Sequence, residues 1–161
     1  VFKQLLPGLV IGLSLLACEP DDKAPVQHDP VAFESADECH LCGMIITRFP
    51  GPKGEAFVRH NQTAFKFCST RDLFAWLLQP DVSSRVEAVY VHDMAKVPWE
   101  DPQDHALVDA RGAWYVVGSE RTGAMGSTLA SFAEPQAAAD FAQQYGGKVV
   151  RFDDITLQLL Q

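Results

Sequence analysis

The chain's order of strand-like and helix-like segments predicts an α+β fold made of two small ββαβ units in tandem. Two observations carry this reading. Helix signals after Ser69 and at Pro135 are each preceded by strand-like apolar segments and followed by another. Setting the two helices in register lays Thr63 on Thr128 and Phe67 on Phe132, a repeat of about sixty-five residues. Each small sheet is then expected to carry a helix on one face.

The elements follow in order. Val1-Phe2-Lys3-Gln4 precedes an apolar run from Leu5 to Ala17. A finished membrane span needs ~20 residues, so this shorter run reads as a secretory signal over 1–17. Leu15-Leu16-Ala17-Cys18 resembles a bacterial lipobox, which makes Cys18 the expected lipidated first residue of the mature chain. Residues 18–31, with Glu19-Pro20-Asp21-Asp22-Lys23-Ala24-Pro25, are acidic, proline-rich and without apolar period, and read as a flexible tether. His28 falls in it and is expected in solvent.

The first unit is placed at 32–98. Met44 to Phe49 reads as a strand from its β-branched content, and Pro50-Gly51-Pro52 as a turn. Ala56 to His60 and Ala64 to Cys68 suggest a hairpin around Asn61-Gln62. Ser69 caps a helix whose apolar face is Leu73, Phe74, Trp76, Leu77 and Leu78, stopped at Pro80-Asp81. Val86 to Val91 is the next strand. The second unit, 99–161, has strand-like Ala106 to Val108 and Ala113 to Val117. Gly123-Ala124-Met125-Gly126 makes a turn, and Thr128 to Phe132 a strand. A helix runs from Pro135 to Tyr145, closed by Gly146-Gly147, and the last strand is Lys148 to Phe152.

Composition restricts function. The 161 residues carry a formal net charge of −8. Removing 1–17 takes away Lys3 and leaves 12 basic against 21 acidic side chains. Such a surface does not suit nucleic acid. It also lacks a polybasic membrane contact, so anchoring rests on acyl chains at Cys18. Of the 4 Cys, three remain beside Cys18, an odd number in an oxidising compartment. At least one is expected to stay free or to be held by metal.

The chemistry concentrates in Cys39-His40-Leu41-Cys42-Gly43-Met44. Thiolate and thioether sulfurs together favour Cu(I) over harder ions, and a thioether adds nothing for Zn²⁺. In an extended segment Cys42 and Met44 would face one side, with Gly43 leaving the backbone uncrowded. Three other readings compete: a Cys39/Cys42 redox pair, half a zinc site, for which no second CxxC follows, and Met44 as ordinary core at the start of the apolar run Met44-Ile45-Ile46. Cys68 lies between a strand and a helix start and reads first as a buried small residue. His60, His92 and His105 read as surface or satisfied groups, and Met94 as packing. No phosphate loop, carboxylate pair or Ser/His/Asp order is present, so the chain reads as a non-enzyme.

Cys42-Gly43-Met44, Pro50-Gly51-Pro52-Lys53-Gly54, Arg71-Asp72, Tyr90-Val91-His92-Asp93-Met94, Tyr115-Val116-Val117-Gly118-Ser119, Gly123-Ala124-Met125-Gly126 and Gly146-Gly147 are together similar to the NosL family, the accessory copper-chaperone lipoproteins of nitrous oxide reductase maturation. The resemblance spans nearly all of the mature chain. It implies a monomeric periplasmic protein, lipid-anchored to the outer membrane in preference to the inner, that carries one Cu(I) toward the CuZ site of nitrous oxide reductase. It implies as partner an ABC-type transporter complex with a periplasmic β-helical subunit, and a fold of two ββαβ units related to organomercurial lyase. The family's Cys-Gly-Met ligands fall on Cys42 and Met44, and its His on His40. Cys39 and Cys68 depart from the pattern, and Cys39 is an expected disulfide partner of Cys42 or an extra ligand. For a third ligand, Met125 is preferred because it stands in a turn, where core packing explains it poorly, and because the repeat puts it on the same hairpin edge as His60. His40 is the alternative. A thiol–disulfide oxidoreductase using Cys39 and Cys42 is the competing function.

Overall fold

The structure, a computed structural model, describes residues 27–161. The signal segment, Cys18 and the tether up to residue 26 lie outside the described residues. The predicted repeat is present as topology. In the first unit, β1 (Gly54–Val58) pairs antiparallel with β2 (Phe65–Phe67). α1 (Thr70–Leu77) and a short α2 (Pro80–Ser83) then lead to β3 (Val86–His92), which pairs antiparallel with the other side of β1. The second unit has β5 (Trp114–Val117) between β8 (Ala130–Phe132) and β9 (Lys148–Arg151), with α3 (Pro135–Tyr145) crossing from β8 to β9. Gly54 opposes Phe67 and Val91 in one sheet, and Trp114 opposes Phe132 and Arg151 in the other. The central strand is thus the first of each unit. Between the units, β4 (Leu107–Asp109) extends the first sheet to the order β2-β1-β3-β4. A small hairpin of β6 (Thr122–Gly123) and β7 (Gly126–Ser127) holds Ala124 and Met125 at its turn.

Strand alternation decides the layers. Ala56, Val58, Val89 and Val91 face α1, and Leu73, Phe74 and Leu77 fill that space. Phe74 also meets Tyr115 of β5 edge-on at 5.0 Å, so α1 lies between the two sheets and belongs to one core with both. Val116, Ala130 and Phe132 point the other way, toward Ala138 and Phe141 of α3. Ser69 caps α1 as the sequence predicts, accepting from the Asp72 N–H at 3.1 Å. Thr70 then fastens that helix start to the second unit, bonding the Thr128 hydroxyl and donating to the Leu129 carbonyl.

Two expectations are corrected. Met44 to Phe49 is not a strand: only Ile45 bridges to Glu38, and Ile46–Arg48 form a 3-10 turn. α1 does end ahead of Pro80, at Leu77, as the sequence predicts, and Pro80 then opens the separate α2, since its missing N–H is no loss at a first helical position. Residues 27–31 are packed rather than free. His28 stacks on Phe57 at 4.5 Å, its Nε2 bonds Glu87, and its carbonyl accepts from the Tyr90 hydroxyl. Val31 N–H donates to Glu55, so this segment straps the face of the first sheet that α1 leaves uncovered. A polar, proline-bearing composition concealed it; the ring of His28 supplies the apolar contact that composition does not register.

Candidate metal centre

The site forms where the Cys39–Met44 segment meets the start of α1. That segment closes on itself. Cys39 N–H donates to the Met44 carbonyl and Gly43 N–H to the Cys39 carbonyl, both at 2.8 Å. Gly43 takes a φ of 75°, which an L side chain rarely adopts. The turn hangs on the free edge of β2, with His40 N–H donating to the Lys66 carbonyl at 2.8 Å. Cys68 leaves the end of β2, and Asp72 stands one helical turn later in α1.

These placements bring three thiols and a carboxylate together. The donor atoms of Cys39, Cys42, Cys68 and Asp72 all lie within 4.8 Å of one another. Cys42 and Cys68 Sγ are 3.4 Å apart, and Asp72 Oδ2 accepts from Cys68 at 3.3 Å and from Cys39 at 3.6 Å. Among the described residues it is the one such group of His, Cys, Asp and Glu. Cys39 and Cys68 are buried and Cys42 is half-buried, so only Cys42 opens outward.

The thiols are unequal. A hydrogen bond from the Cys68 thiol brings Cys39 down to about 5, against the opposing effect of burial. As a thiolate Cys39 cannot donate to Asp72, so that contact belongs to the fully protonated cluster. Cys68, which gives up its proton to neither neighbour easily, is pushed well up by that same bond and by burial. Burial pushes Cys42 up as well. Lys53 is buried nearby, its ammonium donating to the carbonyls of Phe49 and Pro50. Burial lowers it to about 8. The metal-free cluster therefore keeps most of its protons, and a soft cation must displace them.

Of the residues singled out in the sequence, Cys42 and Cys39 are in the cluster. Met44 is half-buried against the main core, and its thioether is not among the clustered donors. Met125 is 50 % exposed at the β6–β7 turn, and its carbonyl accepts from Arg71, the residue before Asp72, at 3.4 Å. The His40 ring is turned against Phe65, Phe67 and Trp76, at 4.5, 6.0 and 5.7 Å, and is not in the cluster. His60 and His105 are exposed. His92 is fully buried, its Nδ1 accepting from the Lys53 N–H. Sequence reasoning missed Cys68 and Asp72. The available signal was a Cys directly before a capping Ser, four residues ahead of a helix-start Asp.

The sequence model of NosL matches residues 30–160. The chain belongs to the NosL family. It is 46% identical over 156 residues to the copper-binding lipoprotein NosL of Stutzerimonas stutzeri, covering 97% of this chain and 81% of that one. The copper-binding lipoprotein NosL of Achromobacter cycloclastes is 33% identical over 145 residues, covering 88% and 74%. The crystal structure of the copper chaperone NosL from Shewanella denitrificans superposes with a TM-score of 0.80 at 52% identity, over 81% of this chain and 97% of that one. The solution structure of apo-NosL from Achromobacter cycloclastes gives 0.52 at 32% identity, over 67% and 88%. The α+β fold, with its antiparallel sheets and few helices, is therefore the NosL fold.

Proposed function

We propose that this NosL protein is an exported, lipid-anchored carrier of Cu(I), not an enzyme. The observation that carries the proposal is the half-buried Cys42 thiol gathered with the two buried thiols of Cys39 and Cys68, in the same turn as the half-buried Met44. Soft sulfur donors select Cu(I). In the exchange position Cys42 holds copper as thiolate, with Met44 and Met125 as thioether donors. His40 is the alternative third donor and would have to leave its aromatic seat. A low-coordinate ion bound to neutral thioethers lets an acceptor's ligand attach before the carrier's ligands leave.

The cargo is destined for the CuZ centre of nitrous oxide reductase, delivered through an ABC-type transporter complex with a periplasmic β-helical subunit. The carrier works as a monomer in the periplasm, held by acyl chains on Cys18 at the outer membrane in preference to the inner. The names of its relatives support the copper and lipoprotein parts of this reading. No described helix is long and apolar enough to cross a membrane.

A dithiol enzyme fits poorly. Its attacking thiol should be both accessible and easily ionised. Here the easily ionised Cys39 is buried, and the accessible Cys42 is pushed up.

The test is complementation of a denitrifying bacterium lacking its own NosL. This chain should restore copper to nitrous oxide reductase, and Cys42→Ser should not. Restoration by Cys42→Ser equal to the unaltered chain would overturn the proposal.

A further inference from the structure

We propose a second, inner Cu(I) position formed by Cys39, Cys42 and Cys68, distinct from the thiolate–thioether exchange position and sharing Cys42 with it. It rests on the reading of the protein as a Cu(I) carrier. A metal–thiolate bond of about 2.3 Å, the Zn²⁺ value, puts three sulfurs around one ion about 4 Å apart. The three Sγ atoms already lie within 4.8 Å of one another, with Cys42 and Cys68 at 3.4 Å. Small side-chain rotations therefore complete a three-coordinate cage without moving the backbone. That backbone is fixed independently on both sides: by the closed Cys39–Met44 turn, and by Cys68 between β2 and a capped helix start.

Depth separates the two positions. Cys39 is 3% and Cys68 0% exposed, whereas Met125 is 50% exposed and Met44 half-buried. Before copper arrives, the Asp72 oxygen accepts from the protonated thiols of Cys68 and Cys39 and orients them. As a hard donor it is not a ligand of a soft ion. The buried Lys53 ammonium offsets part of the negative charge of a three-thiolate complex.

The step between positions is ligand exchange with no change of oxidation state. Copper stays bound to the Cys42 thiolate. The thioether–copper bonds break, Cys39 and Cys68 give up to solvent whatever thiol protons they still carry, and two thiolate–copper bonds form. Because Cys42 is shared, one ion occupies one position at a time. Three thiolates hold Cu(I) more tightly than one thiolate with two neutral thioethers, so the inner position fills at one equivalent and the outer one serves entry and exit.

The experiment is copper X-ray absorption on the full-length protein in detergent, labelled with selenomethionine, reduced and loaded anaerobically with one equivalent of Cu(I). The inner position predicts sulfur neighbours and no selenium neighbour. Cys68→Ser and Cys68→Ala should then bring selenium into the copper shell and weaken Cu(I) binding at least tenfold against a chelator, while one equivalent still binds. Selenium around copper in the unaltered chain would overturn the inner position and leave the carrier reading standing. A chain that takes up no Cu(I) would end both.

Discussion

The sulfurs of Cys42 and Cys68, twenty-six positions apart in sequence, approach to 3.4 Å. This sulfur pair crosses from the Cys-rich turn to the start of α1. Diamide should therefore remove two electrons and two protons from these two thiols and join them. Peptide mapping is expected to find Cys42 linked to Cys68 and Cys39 free. Copper uptake should fall with formation of that bond, because the outward thiol is consumed. A product linked Cys39 to Cys42, the pairing that sequence proximity suggests, would contradict the arrangement.

Much of the fold was legible before any coordinates. The helix register placed Thr70 and Pro135, sixty-five residues apart, and both open helices. Half of the site was legible too, since Cys42 and Cys39 sit in one short motif. The rest depends on distant chain. The local pattern of Met44-Ile45-Ile46 reads as a strand, yet the Gly43 backbone turns and closes Cys39 onto Met44. Cys68 reads as ordinary core, and only the seating of that turn on the edge of β2 gives it sulfur neighbours. His28 was misread because its partners, Phe57 and Glu87, lie about thirty and sixty residues away.

Glu55 should make stability fall as pH rises. Its carboxyl is fully buried under the 27–33 strap, with Oε1 accepting from Val31 N–H and Oε2 unpartnered. Burial pushes it up to about 7 from an ordinary 4.5. Between those values the folded chain keeps a proton that the unfolded chain releases. The stabilisation is thus complete below 4.5 and lost as pH rises through 7. His92, which burial lowers to about 3, slopes the opposite way below its ordinary 6.5. Comparing Glu55→Gln with the unaltered protein cancels the histidine. In urea unfolding, the variant should be more stable above pH 7, by about 3 kcal/mol at most, with the advantage shrinking toward pH 4.5. An advantage independent of pH would exclude ionisation of Glu55 as the cause.

Arg71 should act on copper exchange without touching copper. Its Nε donates to the Leu160 carbonyl at 2.8 Å and its Nη1 to the Met125 carbonyl at 3.4 Å. The guanidinium thus ties the Met125 hairpin and the C-terminal turn to the helix start that carries Asp72. Arg71→Ala should cost roughly 1 kcal/mol of stability. Stopped-flow transfer of Cu(I) to a chelator should slow severalfold in Arg71→Ala and in Met125→Leu. The double variant should be no slower than the worse single one, because Arg71 acts only by positioning the Met125 thioether, which Met125→Leu already removes. Additive slowing would separate Arg71 from Met125.

The Cys42 thiolate is the centre of the account, since both copper positions use it. The direct measurement is an anaerobic titration of the reduced, full-length chain with Cu(I) in competition with a coloured chelator. The unaltered protein should withdraw one equivalent of Cu(I) from the chelator complex. Cys42→Ser should withdraw almost none, although Cys39, Cys68 and both thioethers remain. If Cys42→Ser takes up one equivalent as tightly as the unaltered chain, copper is held elsewhere and the account is wrong.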